Sequence, residues 1–442
     1  MQASRLLFRS YRRLTLGISV VAVVAFITVS AAPAQAAPGD LDPSFGGDGT
    51  VVTTFPNHGW GMAIAMEGCC QIVAVGYDGT VDTTRDIAVL RYRLDGTPDP
   101  SFGDAGQVFT DLGGEDFARD VAIQRDRKIL AAGDGGPNQD LAVVRYNTDG
   151  SLDTSFGTGG YVLTDFGGND VARGVAVQKD GKIVAAGFTL LPKADFIIAR
   201  YNADGSLDTS FGTGGKVITE LGGNDLGRGL VIQRDGKIVV VGYSNYNFAL
   251  VRYNTDGSLD ASFGTGGVVI TDFGYLDVCR AVALQRDGKI ICAGYSGTGG
   301  GGLFGEEPEL GDKADFAMAR YLPNGSLDPT FGTGGLVTTD YTGGTDGEHA
   351  RTIVLQRDGK IILAGHVGEA GGGSDGDFAT VRYNTDGSLD TTFGVGGWVV
   401  TDFGGTDGAR DAAIQSDGKI VEVGITGGFG GFQFALARYL TT

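Results

Sequence analysis

One motif recurs along this chain at long and nearly even intervals. A Ser-Phe-Gly triplet or its variant places phenylalanine at 45, 102, 156, 211, 263, 331 and 393. An Arg-Tyr pair ends at Tyr92, Tyr146, Tyr201, Tyr253, Tyr321, Tyr383 and Tyr439. Both series count seven, and self-similarity at a fixed period marks a repeat architecture. The 78 glycines punctuate these repeats; with 11 prolines and no G-x-y period they do not form collagen.

Each repeat reads as four short strands. In the third, "ARGVAVQ" (172–178) leads through a "KDG" turn to "KIVAAGF" (182–188). "DFIIARYN" (195–202) follows, and "ADGSLDTSFGTGG" carries the chain to "KVITEL" (216–221). Strands that are apolar on both faces are buried on both faces. Seven such units predict an all-β fold, a seven-bladed β-propeller of four-stranded blades. The repeats begin with a fourth strand, in "LDPSFGGDGTVVTTF", and end with a third, in "FALARYLTT". Residues 50–55 are therefore expected to complete blade seven and close the ring, removing an open edge.

Residues 1–36 stand outside the repeats. Arg5, Arg9, Arg12 and Arg13 precede an apolar run from Leu14 to Ala32, and Ala34-Gln35-Ala36 is a small-x-small cleavage signal. This predicts a secretory signal peptide at 1–36 and a single propeller domain at 37–442. The expected location is secreted, periplasmic or in the cell envelope of a bacterium. No later stretch is long and apolar enough to span a membrane. The sequence holds 34 Lys+Arg and 53 Asp+Glu; without the four leader arginines the balance is 30 against 53, or −23. That excess of acid argues against a nucleic-acid partner. The sequence leaves the oligomeric state open and is compatible with a monomer.

The motifs "DGSLDTSFGTGG", "TDFGGND.AR", "QRDGKIV.AG" and "DFA.ARYN" resemble those of the bacterial delta-sixty repeat proteins, over about residues 41–442. That family of secreted repeat proteins is predicted to form propellers. The resemblance implies the fold and supplies no catalytic residue. A weaker architectural likeness is to NHL-type propellers. No cofactor is expected.

The stretch "RYNTDGSLD" invites comparison with a calcium loop, with Asn147, Asp149 and Asp153 as oxygen donors. Arginine, however, holds the first ligand position in all seven repeats. It repels a cation and offers no oxygen. The expectation is therefore a connector and not a metal site: Asn-x-Asp-Gly is turn chemistry, with Leu152 and Phe156 as apolar anchors. Four cysteines do not make a disulfide framework. Cys279 and Cys292 are expected as small core residues. Cys69 and Cys70 replace a turn and are expected to be exposed, free or joined.

Length varies in a restricted way. The phenylalanines lie 57, 54, 55, 52, 68 and 62 residues apart. Removing the segment between strands two and three leaves 48 residues in five cases and 51 in the sixth. Variation is thus confined to the 2–3 and 4–1 loops, which open on one face of an up-and-down blade. Loops on a rigid scaffold carry function. The binding candidates on this face are His58, Tyr243, Tyr246, Phe304, Phe429 and Phe432, with Asp346, Glu348, His349, His366 and Glu369 grouped in repeat six. Aromatics suit glycans or peptides; His and carboxylates suit metal or acid–base chemistry. At the start of strand one, Asp116/Arg119, Asp170/Arg173, Asp225/Arg228, Asp277/Arg280 and Asp407/Arg410 are expected to form a ring of structural ion pairs. Repeat six has Glu348/Arg351 there and repeat one Gly59/Met62. The favoured reading is an exported binding scaffold for an extracellular glycan, peptide or protein. The alternatives are a lyase or hydrolase working at the channel mouth, and a structural envelope or matrix protein.

Overall fold

A computed structural model describes residues 36–56, 58–79, 84–298, 313–343, 347–368, 376–428 and 431–441. The chain divides into two units, Met1–Ala36 and Ala37–Thr442. The second is a ring of seven antiparallel four-stranded sheets, the expected propeller. Blade three is typical: Asn169–Val177, Ile183–Leu191, Lys193–Tyr201 and Lys216–Thr219, paired in that order. Among the described residues no helix is long and apolar enough to cross a membrane.

The second and third strands are buried on both faces because each sheet is sandwiched between its neighbours. Val73, Val75 and Val89 of blade one pack with Ile129, Ala131 and Val144 of blade two, and Phe102 plugs the seam. A hydrogen bond of 2.6–2.9 Å recurs at every seam. It joins the threonine ending an outer strand to the Arg-Tyr tyrosine of the next blade, as in Thr110–Tyr146 and Thr164–Tyr201.

The repeated loop is a clamp. Burial alone would raise the pKa of Asp153, but donation from Lys128 and Ser155 and the charge of Arg145 hold it well below the carboxylate range. Arg145 donates to Asp153 at 2.7 Å and to Ala203 O of the next blade, and its guanidinium lies 4.5 Å from the Phe156 ring centre. All seven arginines of this series cover their phenylalanines at 4.3–4.8 Å. The residue that blocks a calcium reading is thus the one that locks the connector. Gly150 takes φ 90°, and a Cβ there would meet Gly103 N of the preceding blade at 2.9 Å.

The N-terminal segment supplies what blade seven lacks. Thr50–Thr53 pairs with Gly431–Tyr439, with Thr50 opposite Ala437 and Thr53 opposite Phe434. Asp42 takes both Arg438 and Lys419, so the connector clamp is rebuilt from the two ends of the domain.

The cysteines depart from expectation. Cys279 and Cys292 are fully buried, as expected, but are bonded to each other between the first two strands of blade five. Cys279 lies opposite Gly294 and Cys292 opposite Val282, so the two are offset across the ladder, and their Cα atoms at 6.0 Å lie within bonding reach. Cys69 and Cys70 are exposed in the first hairpin turn and form a vicinal disulfide.

Candidate functional site

The seven first strands line a central channel. Each carries one extra residue that interrupts pairing with strand two. The interruptions fall at Met62, Arg119, Arg173, Arg228, Arg280, Arg351 and Arg410. A bulge re-aims the side chain it carries. All seven side chains contribute to one cavity of about 310 Å³ near the face with the variable loops.

The aspartates of the expected Asp–Arg pairs also hold the backbone of the 4–1 loops. Asp116 accepts the backbone N–H groups of Leu112 and Gly136. Asp170, Asp225, Asp277 and Asp407 likewise accept the N–H four residues earlier, and so tie down the 4–1 loops. Arg119 instead pairs with Asp134 of strand two. The acid turns into the loop, and the bulge at the arginine redirects the second side chain.

Beneath the arginines lies a layer of cross-strand pairs: Trp60–Tyr77, Phe117–Asp134, Val171–Phe188, Leu226–Tyr243, Val278–Tyr295 and His349–His366. Guanidinium groups stack on its aromatics. Arg228 lies 5.7 Å from both Phe188 and Tyr243, Arg280 5.4 Å from Tyr295, and Arg410 5.7 Å from Trp60. Arg280 also donates to the Tyr295 hydroxyl at 3.1 Å.

The sequence-predicted residues separate into groups. His349 and His366 meet edge to face at 4.9 Å, and His349 packs on Tyr295 at 4.3 Å. Both imidazoles are buried. Glu348 is not brought to them. Its carboxylate accepts N–H groups from Tyr341 and Thr342, the loop-tying role that aspartate has in other blades. Tyr243 is buried and stacks with half-buried Tyr246 at 6.1 Å. His58 accepts the Phe432 N–H at Nδ1. Asp346, Glu369, Phe304 and Phe429 lie outside the described residues.

Three features escaped the sequence reading. The first is an aromatic ledge across the closing seam. Partly buried Trp60 lies 4.7 Å from Phe432 of blade seven and stacks on Tyr77 at 5.8 Å; Tyr77 meets Phe117 of blade two at 4.8 Å. The available signal was that repeat one loses both the acid and the arginine around Trp60. The second is a pair of channel-lining carboxyls. Asp120 accepts Val175 N–H of blade three, and Asp411 accepts Ile64 N–H of blade one and the Thr352 hydroxyl of blade six. Burial, then the charge of Asp411, pushes Asp120 up to about 7; burial raises Asp411 to about 6. Asp120 and Asp411 occupy positions that other blades give to Gly, Ala or Thr.

The third feature is at the blade junctions on the variable face. Asp86, Asp111 and Asp116 bring oxygens within 4.8 Å of one another, as do three equivalent groups, among them Asp140, Asp165 and Asp170. Each presents oxygens of the kind a hard cation takes. Their buried members already hold backbone N–H groups.

Six segments of the chain (71–102, 124–156, 178–211, 233–263, 309–331 and 356–393) match the family model described as a domain of unknown function (DUF5122) beta-propeller. This is a β-propeller repeat protein. No curated protein matches the propeller in sequence. Solved structures resemble it distantly. A protein from Lactobacillus plantarum is 13% identical, covering 85% of this chain and 97% of that one with a TM-score of 0.48. The polysaccharide lyase Uly1 is 12% identical, covering 94% of both chains, with a TM-score of 0.44. Semaphorin 1b from Drosophila is 8% identical, covering 90% and 88%, with a TM-score of 0.44. At these scores none of the likenesses bears on what the propeller does.

Proposed function

We propose that this propeller is an exported binding scaffold that takes an extracellular glycan or peptide on the face around the channel mouth. The aromatic ledge carries the reading. Trp60 and Phe432, near the starts of two strands, and His58, just before one, are partly exposed and join two blades that are far apart in sequence. Rings held in place by strands stack on sugar or peptide faces with little loss of side-chain freedom. The opposite face is built of hairpin turns and connectors of fixed length, about half of whose charged groups serve the clamps.

The test is a glycan and peptide array probed with the purified protein, followed by substitution. Trp60→Ala is expected to weaken capture of the selected ligand about tenfold or more while the ring stays folded. Replacing Arg286, in a turn on the opposite face, leaves capture unchanged. The reverse result places the ligand on the other face.

A second reading, a lyase or hydrolase, draws on Asp120 and Asp411. Two carboxyls that line one cavity and titrate near neutrality suit acid–base work. Turnover of an array ligand by the parent protein, lost in both Asp120→Asn and Asp411→Asn, would favour it over binding alone.

A further inference from the structure

The first hairpin turn of blade one is built unlike the other six. Each of those six carries an aspartate whose carboxylate accepts the N–H of the lysine two residues on, at 3.1–3.3 Å. The lysine side chain then reaches the connector aspartate of its blade at 2.6–3.0 Å. Blade one has Cys69 for the turn aspartate and Gln71 for the lysine. A sulfur cannot replace the carboxylate cap, and the Gln71 amide lies 3.5 Å from Asp99. Glu67, where the other blades have glutamine, takes Arg91 at 3.1 Å. Linked changes at three positions thus surround one vicinal disulfide, Cys69–Cys70.

The fold does not require this bond. Adjacent cysteines enclose no loop, so joining them restricts the unfolded chain little. The other blades turn the same corner with Asp-Gly, or with Asp126-Arg127 in blade two. Gly68, Cys69 and Cys70 are all exposed, so a thiol reaches the sulfurs without any opening of the blade. Cys279–Cys292 is the contrast, fully buried between two paired strands. Access of this kind decides which disulfides exchange and which stay inert.

We propose that Cys69–Cys70 is a thiol–disulfide exchange site that takes two electrons from small thiols. A thiolate attacks one Sγ, the Sγ–Sγ bond breaks, and a mixed disulfide forms; the other sulfur leaves as a thiolate and takes a proton from water. A second thiolate attacks the outer sulfur of the mixed disulfide. It forms the small-molecule disulfide and releases the second cysteine, which is protonated in its turn. Two thiols are thereby oxidised to one disulfide, and the protein disulfide is reduced to a dithiol. The surroundings preserve that product. Residues 67–71 carry no cation, and Arg91 is held by Glu67 and Asp99, so the turn does little to stabilise a cysteine thiolate. The dithiol is mostly protonated at neutral pH and slow to attack another molecule. The turn is on the face opposite the aromatic ledge, so this inference stands or falls independently of the proposed function.

The test is reduction of the purified, folded protein with excess glutathione, followed by trapping with N-ethylmaleimide and mapping of the labelled peptides. Two labels are expected on the peptide carrying Cys69 and Cys70, appearing about a hundredfold or more faster than label at Cys279 and Cys292. The melting temperature of the reduced protein should match that of the oxidised one. After reduction, phenylarsine oxide, which bridges two neighbouring thiols, should bind one-to-one. Cys69→Asp with Cys70→Gly restores the turn of the other blades and should neither label there nor bind the arsenical; Cys69→Ser with Cys70→Ser serves if the first pair misfolds. The proposal is overturned if the turn peptide stays unlabelled while the protein is folded, or if both disulfides open together. It is also overturned if reduction lowers the melting temperature by about 5 °C or more with Cys279–Cys292 intact, which would make the bond a brace for the turn.

Discussion

Thr380 Oγ1 donates to Glu422 Oε1 across 2.7 Å in the core between blades six and seven, where both residues are fully buried. Other blades place apolar residues at both positions, among them Ala185 and Ile198. Burial pushes the Glu422 carboxyl up to about 8, with a further rise from Asp411. A carboxyl in this setting is most stable protonated.

Stability is therefore expected to fall as pH rises. Asp120, Asp411 and Glu422 titrate at about 7, 6 and 8 in the fold, against ordinary values of 3.8, 3.8 and 4.5. Between each pair of values the folded chain binds more protons than the unfolded one, so the slope of stability with pH is negative there. The seven connector aspartates have lowered values, so their contribution is present above 3.8 and lost as pH falls below it. Melting curves across pH should peak near pH 4, to within about one unit. Glu422→Gln should flatten the fall toward pH 8 and raise the melting temperature there by about 2 °C or more. An unchanged slope in that variant removes Glu422 as the cause.

The connector clamps should act without metal. Arg145→Met leaves Asp153 buried with Lys128 as its remaining cationic partner, and a loss of about 3 kcal/mol is expected. Denaturant unfolding with and without a chelator should give the same loss. A chelator effect on the parent that disappears in Asp153→Asn would mean that the connector holds a cation after all.

Ring closure depends on a strand from the other end of the domain. Removing residues 37–56 deletes the outer strand of blade seven and the Asp42 clamp, and exposes Gly431–Tyr439 as an edge. The melting temperature should drop by about 10 °C or more, with aggregation from the bared edge. A deletion that melts like the parent would exclude closure as a source of stability.

The two disulfides should differ in weight. Cys279–Cys292 is buried and spans 13 residues between adjacent strands, so Cys279→Ala with Cys292→Ala is expected to cost roughly 2–3 kcal/mol. Cys69–Cys70 closes no loop, and its replacement by Asp-Gly, which other turns carry, should leave unfolding unchanged.

The ring, its closure and the fixed connectors were legible in the sequence because they follow from repetition: seven phenylalanines, seven Arg-Tyr pairs, and a strand left over at each end. What the arginines do was harder to read. Asp116 and Arg119 lie three apart and look paired, but a single unpaired residue in the ladder redirects one of them. Nothing in the local composition announces that residue. The Cys279–Cys292 bond escaped for a similar reason, since small buried residues and bonded cysteines leave the same trace in an apolar strand. His349 and Glu348 fall in one group of repeat six in the sequence, yet neighbours along a strand point to opposite faces.

The bulges have one more consequence. Each lies at the same step of its strand, and the residue it carries is left out of the ladder with strand two. Backbone geometry there is indifferent to the side chain, as Met62 shows by standing in blade one where six other blades hold arginine. The mouth is in effect a seven-character alphabet strip wrapped into a circle. Each character can be exchanged alone while the frame keeps its shape, so that proteins of identical architecture can present quite different chemistry at the same opening.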